Sequence, residues 1–190
     1  MKKLSLHIFL VMMFCNVGFA DLNGKKLYCY AYDDYIETKI HIGIEFYQKT
    51  AKFSYMTETK DYDDGEWYVF PDTRLEPRHH FFNKTFKIYV NKNDYSSRKK
   101  EYGEKTITRF LTGKEHEILI DTQSHGSPLD RGAILDRQTL VLDLFKSYIK
   151  KKPICEIVDY DPSEKINAIW LERVKEQNGR KQKEKKKNKI

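Results

Sequence analysis

The side chains that could do chemistry in this chain are few and scattered. Past the first twenty residues the histidines are His41, His79, His80, His116 and His125, and an acid–base or metal site would need several of them to meet in space. Their settings point elsewhere. His41 falls on the polar side of an alternating segment, His79-His80 lies in a loop-like stretch after Pro71 and Pro77, His116 precedes Glu117, and His125 sits in Ser124-His125-Gly126-Ser127, a turn composition. Asp61, Asp63 and Gly65 loosely follow a calcium loop, but its sixth position is Glu66 and its twelfth Asp72, so the ligand spacing fails. Asp33-Asp34 and Glu115-x-Glu117 read as solvated carboxylates. The chain contains no G-x-S-x-G elbow, no H-E-x-x-H pair, no phosphate-cradling glycine loop and no dinucleotide fingerprint. The expectation is therefore a non-enzymatic protein with no catalytic residue, metal ligand or cofactor.

Two other features constrain its setting. Met1-Lys2-Lys3, the apolar run Leu4–Phe14 and the small residues Gly18 and Ala20 form the three parts of a secretory signal, with cleavage expected after Ala20. The run is broken by Ser5 and His7, is followed by Asn16, and is too short to span a bilayer, so no transmembrane segment is expected after cleavage. An exported chain, periplasmic or secreted, then retains two cysteines, Cys29 and Cys155. In an oxidising compartment the simplest inference is one disulfide between them.

The formal charge of +7 is unevenly placed. Residues 179–190 carry seven basic side chains against Glu184, a net +6, and Lys2 and Lys3 add +2, which leaves about −1 for residues 21–178. Positive charge spread over a folded surface would suggest nucleic acid as a partner. Here it belongs to the two ends, and no nucleic-acid partner is expected.

What must position these residues is a set of short strands. Ile40, Ile42, Ile44 and Phe46 alternate with polar or small residues, Leu27, Cys29 and Ala31 alternate with Tyr28, Tyr30 and Tyr32, and similar blocks occur at 53–55, 67–70, 86–90, 106–111 and 117–120. Residues 132–142 read as a hairpin turning at Asp136 and Thr139, and 153–158 as a last strand. Eight to ten strands with short connections imply antiparallel pairing. The fold class is all-β, an antiparallel barrel or sandwich over residues 21–160, lipocalin-like in general shape. Asp161-Pro162-Ser163-Glu164 then starts a C-terminal helix whose apolar stripe is Ile166, Ile169, Trp170 and Val174. Asn178-Gly179 is expected to end it, leaving 179–190 as a disordered polybasic tail.

Gly24-Lys25-Lys26-Leu27-Tyr28-Cys29 after the leader, Gly43-Ile44-Glu45-Phe46, Leu135-Asp136-Arg137-Gln138-Thr139-Leu140, one late cysteine and the Lys/Glu-rich end together resemble a set of small, uncharacterised exported bacterial β-proteins with one disulfide and a Lys-rich C-terminal tail. That resemblance implies no activity.

Two binding elements are candidates. A closed sheet of about eight strands has interior room for side chains or one small ligand, and Tyr28, Tyr30, Tyr32, Trp67, Tyr68 and Tyr89 either line such a cavity or fill the core. The basic end, Arg180, Lys181, Lys183, Lys185, Lys186, Lys187 and Lys189, suits an anionic surface. The first functional reading is an exported binding module for a small apolar ligand or a protein partner. The second is an envelope-associated structural or interaction protein that uses its polybasic end on anionic surfaces.

Overall fold

A computed structural model describes residues 23–60, 65–69, 81–89, 116–121, 132–144 and 150–187. The signal segment, the expected strand 106–111, His79, His80, His125 and Lys189 lie outside the described residues. The strands are β1 (Lys26–Asp33), β2 (Thr38–Phe46), β3 (Thr50–Lys60), β4 (Trp67–Tyr68), β5 (Phe81–Tyr89), β6 (Glu117–Asp121), β7 (Ala133–Asp136), β8 (Leu142–Leu144) and β9 (Ile154–Val158), followed by one helix, α1 (Pro162–Lys187).

Every strand pairing is antiparallel, in the order β8-β7-β6-β5-β3-β2-β1-β9, with β4 on the far end of β3. The two ends of this order nearly meet. Val141 and Ile154 form a bridge, the Leu142 N–H donates to the Pro153 carbonyl at 2.9 Å, and the Cys155 N–H donates to the Leu140 carbonyl at 2.8 Å. The sheet is thus a nearly closed barrel, which leaves few unpaired edge groups for other chains to template on.

Period-two alternation decides what fills it. Leu27 and Cys29, Ile40, Ile42, Ile44 and Phe46, Phe53 and Tyr55, Ile118 and Ile120, and Leu135 and Leu142 belong to one contacting interior cluster. Phe53 and Phe86 meet edge to face at 6.0 Å within it. Each such side chain contributes about 1.5–3 kcal/mol by leaving water. The β7–β8 turn is secured as its residue types suggest, with Asp136 Oδ1 accepting from the Gln138 and Thr139 N–H groups at 3.0 and 3.1 Å.

Cys29 and Cys155 stand directly opposite each other on β1 and β9, and their sulfurs are bonded. The bridge spans 126 residues, for which the chain-entropy model gives about 4–5 kcal/mol of stabilisation.

The helix differs from expectation at its far end. It begins where Asp161 and Pro162 place it, with Asp161 Oδ1 accepting from the Ser163 N–H and hydroxyl, each at 2.8 Å. It does not stop at Asn178-Gly179, and residues 179–187 are helical rather than disordered. The reason is tertiary. Gln177 Nε2 donates to the Val69 carbonyl at 2.8 Å, Arg180 donates to the Trp67 carbonyl at 3.1 Å and to Glu66 at 2.7 Å, and the Arg180 guanidinium lies 4.9 Å from the Tyr68 ring centroid. These contacts clamp both sides of Gly179 and offset the roughly 1 kcal/mol that a helical glycine costs. Beyond them, Lys, Gln and Glu are good helix formers.

Replacing both Cys29 and Cys155 by Ala is expected to lower the unfolding free energy by about 4 kcal/mol, read from the urea midpoint of the oxidised protein against the double variant. A difference below about 1 kcal/mol would contradict the crosslink's role.

Candidate functional site

The face of the sheet opposite the interior is where most of the singled-out residues gather. Because Leu27 and Cys29 point inward, Tyr28, Tyr30 and Tyr32 point outward. The six aromatics proposed as interior ligand-liners are absent from the interior cluster. Tyr28 instead packs outside it with Met56, Val69 and Ile166, against Val158, Ile169, Trp170 and Val174. The helix therefore lies on the outer face of the sheet rather than over an open end or edge.

Gly43 makes this possible. A Cβ built there would stand 2.9 Å from Pro162 Cβ, so any larger residue would push the first turn of α1 off β2. On the same face, His41 is flanked by Tyr30 and Met56 on the neighbouring strands, and Lys39 by Tyr32 and Glu58.

Under the helix these side chains form a chain of hydrogen bonds. Tyr28 Oη and His41 Nδ1 are 2.7 Å apart, His41 Nε2 and Glu58 Oε1 are 2.7 Å apart, and Arg173 Nε from α1 donates to Glu58 Oε2 at 2.7 Å. His41 is 6% and Glu58 2% exposed. Burial works against the Glu58 carboxylate, but hydrogen bonds from His41 and Arg173 outweigh it and hold the carboxyl down at about 2. An ionised Glu58 only accepts, so His41 Nε2–H and Arg173 Nε–H both donate to it, and the Tyr28 hydroxyl closes the chain at His41 Nδ1. Burial pushes the Tyr28 phenol far above its ordinary value, with the charges of Tyr160, Tyr30, Glu58 and Glu156 adding to the effect. Tyr28 is held as a neutral phenol and is not an activated nucleophile. The assembly fastens α1 to β1, β2 and β3.

Cations of this chain lie over Tyr28 and Trp67 as well. Lys165 Nζ sits 3.8 Å over the Tyr28 ring, Lys39 Nζ 3.6 Å over Trp67, and Tyr32 meets Trp67 edge-on at 6.0 Å. Tyr89 is buried on β5, on the face opposite Ile88. His116 Nε2 lies 3.2 Å from Asp136 Oδ2, far along the sheet order from His41. Among the described residues no group of three His, Cys, Asp or Glu side chains is placed to hold a metal ion.

Of the basic set, Arg180 is taken up by Glu66, Trp67 and Tyr68, and is one of the residues that hold the helix. Lys181, Lys183, Lys185, Lys186 and Lys187 are exposed on the last turns of α1. They complement the negative end of the helix dipole. No described helix is long and apolar enough to cross a membrane. Neither a protein-family model nor a curated protein nor a solved structure matches this chain.

Alternation alone shows that Tyr28 and His41 avoid the Leu27 and Ile42 face. It does not show that a helix over 120 residues later covers them. The only available signal was the stripe Ile166-Ile169-Trp170-Val174, which demands an apolar partner surface somewhere on the sheet.

Glu58 supplies a pH test. Its folded value lies below its unfolded 4.5, so its contribution is fully present above about 4.5 and is lost as pH falls toward about 2. The wild-type protein is expected to exceed Glu58→Gln in stability by about 3 kcal/mol near neutrality, with the gap closing between pH 5 and 2 (roughly, by the same linkage). A pH-independent gap in denaturant titrations would contradict this assignment.

Proposed function

We propose that this chain is an exported, non-enzymatic interaction protein that binds polyanionic components of the cell envelope through the basic end of α1, with the disulfide-closed barrel as its mount. The single observation that carries this reading is the run Lys181, Lys183, Lys185, Lys186 and Lys187, exposed on a helix that the barrel grips at Gln177 and Arg180. Each basic residue near an anionic surface is worth about 1 kcal/mol. Five of them, set against Glu184 alone, make a competent electrostatic anchor. The leader-like N-terminal segment and the Cys29–Cys155 bridge support export, since disulfides persist in oxidising compartments.

The small-ligand reading draws less support. The inward positions of the described strands carry large side chains in mutual contact, Ile40, Ile42, Ile44, Phe46 and Phe53 among them, and the aromatics suggested for a cavity lie on the other face.

Binding of the oxidised protein is measured by titration with phosphatidylglycerol vesicles and with inorganic polyphosphate at low salt. The full chain is expected to bind, and removal of residues 181–190 to weaken binding at least 100-fold, as expected from about five lysines. Binding that survives the truncation undiminished would overturn the proposal.

A further inference from the structure

Resting on that reading, we infer that the partner is a flexible linear polyanion that winds around the end of α1, rather than a flat anionic bilayer. The lysines point in different directions around the helix axis. An α-helix turns about 100° per residue, so Lys181 and Lys185 share one side, while Lys183 and Lys187, two positions further on, share the opposite side. Lys186 falls between the pairs. All five are exposed. A plane reaches one of these sides at a time, whereas a chain of repeating phosphate, sulfate or carboxylate groups reaches all of them.

Three further observations favour a wrapped partner. The clamp at Gln177 and Arg180 fixes the helix up to Gly179, and the seven residues beyond Arg180 then project about 10 Å, leaving the rod accessible all round. Nothing lies within 4 Å of where a Gly179 side chain would begin, so the helix face that Gly179 occupies is open to a partner. Lys181/Lys185 and Lys183/Lys187 are like-charge i,i+4 pairs, which weaken a helix until their charge is neutralised. A wrapped polyanion relieves both pairs, and a plane relieves one.

The test compares two double variants of the oxidised full-length protein, K181Q/K185Q and K183Q/K187Q, which keep helix-forming residues. Each is titrated with inorganic polyphosphate and with phosphatidylglycerol vesicles. Both variants are expected to lose polyphosphate affinity equally, by roughly 30-fold. Polyphosphate is expected to bind wild type more tightly than the vesicles do, and its binding to weaken about 100-fold between roughly 50 and 200 mM salt for five neutralised charges. If one pair proves silent, or vesicles bind more tightly, the wrapped geometry is overturned while the basic anchor stands. If truncation at Lys181 changes binding to neither probe, the anchor falls as well.

Discussion

Cys155 faces Cys29 across the β1–β9 ladder, and the placement of the C-terminal helix follows from that seam. On its other edge β9 is held by a single bridge and two backbone hydrogen bonds near Val141. Hydrogen bonds this few, each worth about 1 kcal/mol net, would be a weak closure for a barrel assembled from strands far apart in sequence. The covalent link lies on the opposite edge, across the β1–β9 ladder, and keeps β9 in the sheet whatever happens at the Val141 edge. Only three residues then separate Val158 from Pro162, so fixing β9 fixes the point from which α1 departs.

From that point the helix is held by unlike interactions in succession. Asp161 caps its start beside Lys52, with an Oδ2 to Nζ separation of 3.8 Å, Ile166 packs with Tyr28 and Met56, Arg173 completes the Glu58 carboxylate, and Gln177 and Arg180 grip the segment 66–69. Lone surface ion pairs contribute little. Glu58 is different, because removing either His41 or Arg173 would leave a nearly inaccessible carboxylate short of a partner. The buried polar chain thus locks one position of α1, and the clamp near its end carries that position on to the lysines.

Much of this was readable from residue order. Ile40 to Phe46 announces a strand with one apolar face, Asp161-Pro162 announces a helix start, and the two cysteines beyond residue 20 have one partner each. The failures share a physical cause. Tyr28, Tyr30 and Tyr32 share a face with each other, but periodicity does not say which side of a sheet is inside when helix and barrel bury both. His41 is polar in type and outward in register, yet α1 covers it. Asn178-Gly179 carries local stop information, which contacts to Val69, Trp67 and Glu66, more than 100 positions earlier, override.

The central claim is that α1 continues as a barrel-mounted rod through Gly179 to Lys187. Backbone carbon chemical shifts of the oxidised protein in solution test it most directly. The account predicts helical Cα and carbonyl shifts unbroken from Pro162 through at least Lys186; random-coil values from Gly179 onward would contradict it.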